Sequence, residues 1–344
     1  MIDSLISGFL VLTYDCNNRC KWCYASPSGF KKRLMDFKKI ENYLKLMKSL
    51  GIKSLGLLGG EPTLYPNLFE VIKLAKRYDF KVTLYTNGRK LSNEDFVKKL
   101  KKAGLDFINF SVQSGSNYAE KHNKTVNFNG AWAETKKGIE NAYKSGLKIN
   151  IQTVLTHSDI NIYKELIDEF SYANLFIYYR QIPAVTSNCK FFDKKVFPNR
   201  ETKEIYKKIY VYAKDKGVRS YFFSRMPLCW WDDKDLLEKE IHKNIVSHCH
   251  IINGSILAID VNGKILPCPQ YINLHSINLI KNNKLISKKE FIKSYNKGLP
   301  NEIREKLKYV PDKKCLNCEY FGKRCTGGCP LIKFEIGPYA PFSK

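Results

Sequence analysis

Apolar and polar positions along the first half of the chain repeat in a β-α rhythm. Residues 8–14 form a short apolar run of strand length. Residues 36–50 then place Phe37, Ile40, Leu44, Met47 and Leu50 at helical spacing, closed by Gly51. The alternation continues with strands at 54–58, 81–85, 107–112, 148–155 and 175–180. Helices are predicted between them at 68–78, 93–102, 131–145 and 162–170, the second opened by a Ser92/Asn93 cap. Six strands alternating with helices predict a parallel sheet with right-handed crossovers. In such folds ligands collect beyond the C-terminal ends of the strands. After residue 183 the rhythm lapses into a polar and aromatic link, 184–200, followed by a helix at 201–216. Further on, strands at 255–259 and 264–266 flank Asn262-Gly263, which predicts a two-residue hairpin with a type I′ turn. Two helical stretches, 288–295 and 302–308, precede the last cysteines.

Composition narrows the class. A chain of 344 residues that is 44% hydrophobic can bury one large core and a smaller appended domain. No apolar stretch approaches the ~20 residues needed to cross a bilayer, and residues 1–12 lack the basic start of a signal peptide. A cytoplasmic location and no membrane partner are therefore expected. In that compartment eleven cysteines argue for metal ligation over disulfides. The net charge of +25 raises nucleic acid as a partner, but the excess is lysine spread along helices, which favours an acidic partner over a nucleic acid. The link at 184–200 is not Gly/Ser-rich, so the parts on either side of it are expected to pack together.

The chemistry begins at the end of the first strand. Cys16, Cys20 and Cys23 form a C-x3-C-x2-C array. Three thiolates hold three irons of a cubane and leave the fourth without a protein ligand. A structural zinc knuckle is the alternative, but it needs four closed ligands, and the nearest later cysteine is Cys189. The second strand runs into Gly59-Gly60-Glu61-Pro62. Two glycines there permit close backbone approach to a ligand, and the carboxylate can receive an ammonium. The third strand ends in Thr86-Asn87-Gly88 and the fourth in Ser111-Val112-Gln113-Ser114.

These motifs, in this order on successive β-α units, resemble the radical S-adenosylmethionine (radical SAM) superfamily. The resemblance implies a partial (β/α)6 TIM-like barrel over residues 1–183 and a 4Fe-4S cluster that binds S-adenosyl-L-methionine at its open iron. One electron from the cluster would release a 5′-deoxyadenosyl radical, which abstracts a substrate hydrogen. By the same resemblance Gly59, Gly60, Glu61 and Pro62 contact the cofactor's amino group, Thr86 and Asn87 lie beside it, and Ser111 contacts its ribose or methionine end. Relatives commonly carry Ser-x-Asp-Gly at the fourth strand, so Gln113 has no counterpart. Gln152, in the fifth strand, is either a polar residue facing the ligand or a structural glutamine.

The later cysteines, C-x13-G-x4-C at Cys249 and Cys268 and C-x2-C-x6-C-x3-C at Cys315, Cys318, Cys325 and Cys329, resemble the SPASM extension of the same superfamily. That implies a cysteine-rich auxiliary-cluster domain at 241–344, joined to the barrel by a helical segment at 184–240. It also implies one or two auxiliary 4Fe-4S clusters: Cys249, Cys268 and Cys329 on one, and Cys315, Cys318 and Cys325 on the other. Two features depart from the pattern: an x6 spacing where x5 is usual, and no seventh cysteine after Cys329. Cys229, in Pro227-Leu228-Cys229-Trp230-Trp231, is a candidate ligand, a candidate hydrogen donor or an inert thiol, and Cys189 shares these readings. His248 and His250, which flank Cys249, read as structural.

The same resemblance sets the expected function: oxidative cross-linking of a ribosomally synthesised peptide. Peptide epimerisation, or radical oxidation or rearrangement of a small molecule such as a carbohydrate or cofactor precursor, is the alternative. Sulfatase maturation is disfavoured, because Pro269 and Gln270 follow Cys268 where that chemistry places an Asp. The expected partners are a peptide, recognised by a separate leader-binding protein, the C-terminal domain or the barrel mouth because little chain precedes Cys16, and an electron donor such as flavodoxin or ferredoxin.

Overall fold

The structure is a computed structural model that describes residues 7–20, 23, 25, 33–155, 158–179, 200–223, 228–231, 235–245, 247, 255–266, 268–269, 277–281, 284–297 and 313–327. The link at 184–199, Cys189, His248, Cys249, His250, Cys329 and the stretch 302–308 lie outside the described residues.

Seven strands follow one another in register order: β1 (Ser7–Thr13), β2 (Ser54–Gly59), β3 (Lys81–Thr86), β4 (Phe107–Ser111), β5 (Lys148–Leu155), β6 (Asn174–Tyr179) and β7 (Ser220–Phe223). Each pairs in parallel with the next. The helices between them are α1 (Phe37–Ser49), α2 (Leu68–Arg77), α3 (Glu94–Ala103), α4 (Ala119–Val126), α5 (Ala131–Lys144), α6 (Asn161–Glu169) and α7 (Arg200–Asp215). This is the α/β fold expected from the sequence, with strand and helix bounds close to those read from the periodicity. Local chemistry explains the sharp helix starts. Asp36 caps α1 by accepting from the Lys38 amide, and Asn93 caps α3 from the Phe96 amide; each cap contributes about 1 kcal/mol.

Several elements escaped the sequence reading, among them β7, α4, α8 (Leu236–Lys243) and three two-residue strands near 277–285. β7 is four residues, Ser-Tyr-Phe-Phe, too short to show a period. The helices α4 and α8 have eight residues each and few apolar ones. A larger difference lies on the other side of β1. The hairpin strands β8 (Ile256–Ile259) and β9 (Lys264–Leu266) do not form a separate sheet. β8 pairs in parallel with β1, Ser7 opposite Ile256 and Leu10 opposite Ile259, and β9 and β10 (Ile277–Asn278) extend the same sheet antiparallel. The sheet order is thus β10-β9-β8-β1-β2-β3-β4-β5-β6-β7. A separate ribbon, β11 (Ile280–Lys281) and β12 (Lys284–Leu285), leads into α9 (Lys288–Lys297).

The hairpin turn is not the two-residue type expected from Asn262-Gly263. Among the described residues only Asp79 and Asn127 are non-glycines with positive φ, so Asn262 does not meet the type I′ requirement. Instead the Gly263 amide bonds to the Asp260 carbonyl, Gly263 takes φ 76°, and the Asp260 carboxylate accepts from the amides of Asn262 and Lys264 at 2.9 and 2.7 Å. An aspartate before the turn therefore selects the three-residue loop with a bulge.

The sheet has one face for packing and one for chemistry. Leu10, Leu57, Leu84, Ile108, Ile151 and Ile177 are at most 1% exposed and pack in one cluster with Ile40, Leu44 and Met47 of α1. Each such side chain contributes about 1.5–3 kcal/mol. On the opposite, inner face, Tyr85, Asn109, Asn150 and Asn174 stand in register, and Asn150 joins Asn109 at 2.7 Å and Asn174 at 3.1 Å through side-chain amides. Among the described residues no helix is long and apolar enough to cross a membrane.

Candidate functional site

The expected site residues of the first half meet where β1, β2 and β3 end. The chain leaving β1 lies directly on the turn after β2: the Gly60 amide donates to the Thr13 carbonyl at 2.8 Å, and the Glu61 amide to the Asp15 carbonyl at 2.8 Å. A Cβ on Gly60 would fall against the carbonyl oxygens of Asp15 and Tyr14, and one on Gly59 against that of Thr13. The two glycines are thus required first by the approach of the chain's own backbone, not only by that of a ligand.

Pro62 opens a single 3-10 turn, Pro62–Leu64, with Glu61 as its cap. The Glu61 carboxylate is 1% exposed and gathers four donors. One oxygen accepts from the Thr63 amide (3.0 Å), the Thr63 hydroxyl (2.7 Å) and the Thr86 hydroxyl (2.6 Å); the other accepts from the Asn87 amide (2.8 Å). Burial pushes this carboxyl above the usual carboxylate range, and the groups of Thr86, Asn87 and Thr63 pull it partly back. The oxygen facing Asn87 keeps a lone-pair direction for an incoming cation.

Cys16 is buried, while Cys20 and Cys23 are partly exposed. The three are electrostatic neighbours. Burial pushes the Cys16 thiol up to about 12, and the charge of Glu61 and the nearby Cys23 add to this. Burial also lifts Cys20 well above its ordinary value, with Cys23, Cys16 and Glu61 contributing. Such thiols stay protonated until a metal takes the proton's place, since the thiolate is the ligand. Backbone amides already point at the sulfurs: Asn18 donates to Cys16 and Ala25 to Cys23, each at 3.3 Å. Protected sulfurs, amide donors and a carboxylate held beside them fit a cluster with a zwitterionic ligand. Among the described residues no three His, Cys, Asp or Glu side chains converge on a single metal ion.

Sequence reading missed what fixes the loop between Cys16 and Cys20. Arg89, 7% exposed, donates to the Asn17 carbonyl at 2.6 Å and the Asn18 side chain at 3.0 Å, pairs with Glu134 of α5 at 2.5 Å, and lies 3.5 Å over the Phe128 ring. Asn87 reaches Asn17 at 2.7 Å. The one available signal was that Arg89 directly follows Thr86-Asn87-Gly88.

At the fourth strand, Ser111 lies opposite Gln152 in register. Gln113 ties the two strands, donating to the Ser111 hydroxyl at 3.2 Å and accepting from the Val154 amide at 3.3 Å. Its own amide donates to Nδ1 of His122, which is 1% exposed. Burial, with Arg89 adding, pushes His122 down to about 4. Of the later cysteines, Cys268 is partly exposed just after β9, and Cys325, Cys315 and Cys318 are electrostatic neighbours of Cys229.

Comparison with known proteins adds the following. Residues 10–169 match the Radical SAM superfamily. A protein of Thermococcus kodakarensis named "Probable GTP 3′,8-cyclase" is 27% identical over 300 residues, 85% of this chain and 89% of that protein. The GTP 3′,8-cyclase of Aquifex aeolicus is 35% identical over 150 residues, 42% of this chain and 46% of that one. Among solved structures, Streptococcus suis SuiB bound to precursor peptide SuiA aligns with a TM-score of 0.71 at 18% identity, covering 96% of this chain and 73% of that one. The enzyme anSMEcpe with bound AdoMet and a peptide aligns at 0.68 and 20% identity, covering 96% and 90%. Likeness at that identity shows the fold alone.

These findings overturn peptide cross-linking as the function. The relatives matched along most of their length carry the name of a small-molecule reaction, which agrees with the small-molecule alternative. The cysteine spacings that suggested a peptide substrate report how clusters are held, and clusters do not define what enters the pocket. The family implies a 4Fe-4S cluster, S-adenosylmethionine and a source of electrons, and the motifs assembled at the ends of β1, β2 and β3 suit them. Residues 10–169 are a radical SAM domain, and the chain is a radical SAM enzyme.

Proposed function

We propose that this enzyme carries out a radical rearrangement of a small molecule, with a purine nucleoside triphosphate as the substrate class. The observation that carries this reading is the 27% identity to a protein named "Probable GTP 3′,8-cyclase" over 85% of the chain. The inner face of the sheet supports it. Ser111, the last residue of β4, and Gln152, opposite it in β5, offer neutral donors and acceptors of the kind that read purine edges. Among the described strand residues in register with them there is no carboxylate to repel a phosphate. The net charge of +25 favours a polyanionic substrate in general.

In this reading Cys16, Cys20 and Cys23 hold the cluster, which with S-adenosylmethionine supplies the radical that removes a substrate hydrogen. Glu61, set by Thr63, Thr86 and Asn87, receives the cofactor's amino group, Gly59, Gly60 and Pro62 seat the cluster loop beside it, and Ser111 borders the cofactor from β4. Auxiliary clusters belong to the cysteines at 249, 268 and 329 and at 315, 318 and 325. The division into 1–183, 184–240 and 241–344 then describes a core, a connection and an auxiliary part whose β8, β9 and β10 widen the core sheet. We place the enzyme in the cytoplasm, with flavodoxin or ferredoxin as its reductant.

The test is anaerobic turnover with S-adenosylmethionine, dithionite and GTP deuterated at carbon 3′. The expected result is deuterium in the released 5′-deoxyadenosine and loss of GTP, both absent from the Cys16→Ala, Cys20→Ala and Cys23→Ala variants. Cleavage of S-adenosylmethionine with no deuterium transfer would reject the substrate, and cleavage by the alanine variants would reject the cluster site.

A further inference from the structure

The cysteines outside the barrel raise a question of ligand count. Cys315, Cys318 and Cys325 would hold three irons of a cubane and leave the fourth for a further ligand. The structure brings a fourth thiol to them from nearly ninety residues upstream.

The terminal group is a compact knuckle. Cys315 lies in a 3-10 turn, Lys313–Asn317, and the Cys318 amide donates to the Cys315 carbonyl at 3.2 Å. The chain then doubles back, with the Phe321 amide on the Cys318 carbonyl and the Cys325 amide on the Tyr320 carbonyl at 2.9 Å. Cys325 is buried at the base. Its sulfur accepts from the Gly327 amide at 3.3 Å, two residues on, the same relation that Asn18 has to Cys16 and Ala25 to Cys23. A second amide reaches the Cys325 sulfur from elsewhere in the chain, that of Leu228 at 3.4 Å, and the Ser247 hydroxyl approaches it at 3.8 Å. Leu228 opens the 3-10 turn Leu228–Trp230, so the bond that seats Leu228 on Cys325 delivers the next residue, Cys229, to the same place. Partial burial raises the Cys229 thiol, and Cys325, Cys315 and Cys318 raise it further, in that order, which makes all three its electrostatic neighbours.

We propose that Cys229 is the fourth cysteine ligand of an auxiliary iron-sulfur cluster whose other ligands are Cys315, Cys318 and Cys325. The assignment rests on the radical iron-sulfur reading of the chain. Amide donors on a ligand sulfur are the outer contacts that tune a cluster, and Cys325 has them from both parts of the site. With four thiolates supplied by protein, this cluster has no open iron. It serves electron transfer, and substrate binds elsewhere. Cys229 therefore takes the ligand role, not that of a hydrogen donor.

Two measurements on the full chain test this. The first is alkylation by iodoacetamide, read by mass spectrometry, on anaerobically reconstituted wild type and on the same protein after iron removal by a chelator. The Cys229 side chain is exposed, so it should label readily after iron removal, while ligation should protect it before. Equal labelling in both states overturns the proposal, and this readout needs no folded variant. The second compares iron and sulfide in a Cys16/Cys20/Cys23→Ala background with and without Cys229→Ser. The background should keep its auxiliary iron, about four atoms for each cubane. Adding Cys229→Ser should remove iron or leave a three-iron species visible by electron paramagnetic resonance. An unchanged iron content and spectrum, or zinc in place of iron at this site, overturns it. A failed GTP reaction in wild type with Cys229 protected would reject the substrate and leave the ligand assignment standing.

Discussion

At the end of β1, Cys16 and Cys20 sit on a loop held from several sides: by the backbone of Gly60 and Glu61, by the Asn87 side chain and by the Arg89 fork. At the far end of the chain, Cys315, Cys318 and Cys325 are held largely by the short turns of their own segment, with contacts from Leu228, Ser247 and His242. The first region brings three thiols and a heavily supported, buried carboxylate; the second brings four thiols, and Glu319, the carboxylate within residues 313–327, is exposed. The difference teaches where each site spends its order. A centre that must leave one iron free for a ligand needs surrounding groups to aim that ligand, whereas a centre closed by cysteines has no such ligand to aim and its outer contacts act on the sulfurs themselves.

That contrast can be broken most severely at Gly60. In Gly60→Ala the new methyl group meets two backbone carbonyls that cannot yield without moving the cluster loop. S-adenosylmethionine cleavage should fall by about 100-fold or more, while auxiliary iron measured in the same preparation stays constant. A comparable loss of auxiliary iron would show that the two regions are not independent. Next, Glu61→Gln keeps the shape of the side chain but replaces an acceptor with an amide that faces other donors. Affinity for S-adenosylmethionine, measured by equilibrium binding to the reconstituted protein, should weaken by roughly 10- to 100-fold, or about 1.4–3 kcal/mol. An unchanged affinity would remove Glu61 from the cofactor's site.

A smaller effect is expected at Arg89. Arg89→Lys retains the positive charge but cannot span Asn17, Asn18 and Glu134 with one planar fork. Loss of the barrel cluster to a chelator should speed up several-fold, with no change at the terminal cysteines; equal rates in mutant and wild type would make the Arg89 network incidental. The smallest effect concerns pH. His122 is neutral in the fold because its value is pushed down to about 4 from 6.5. Above pH 6.5 its contribution is fully present. As the pH drops from 6.5 toward 4 the unfolded chain takes up a proton that the fold refuses, and up to ~3 kcal/mol is lost. Hydrogen exchange at α4 and α5 should rise over that window in wild type and not in His122→Asn, with residues 313–327 indifferent. A flat profile in wild type would contradict the assignment.

How much of this was legible beforehand depends on the range of the interaction. The helix 36–50 and the strand 148–155 followed from a period and from caps a few residues away, and they match α1 and β5 nearly residue for residue. The motif Gly59-Gly60-Glu61-Pro62 was visible as a string, yet two of the four donors to its carboxylate come from Thr86 of β3 and from Asn87 just after it, which no local pattern reveals. The Asn262-Gly263 turn failed for a related reason: Asp260, two residues earlier, outweighed the dipeptide preference. Cys229 was visible only as an unplaced thiol with several open roles. Its position depends on the contact between Leu228 and Cys325, a pairing of two distant segments. The substrate was read wrongly because cysteine spacing encodes cluster ligation and says nothing of the pocket.

The pairing of β8 with β1 bears on how the protein comes to exist. The strand that leads into Cys16 has its β2 edge covered early in synthesis, but its other edge waits for Ile256 to Ile259. On a ribosome, all the chain between β1 and residue 259 must emerge before that edge is closed. Contacts of such sequence separation are slow to form, and an unpaired edge is exposed to wrong partners meanwhile. The cluster loop of a nascent chain is thus flanked by an unfinished sheet until residues 256–259 have been made, which makes the synthesis of β8 a timing device for the maturation of the centre beside β1.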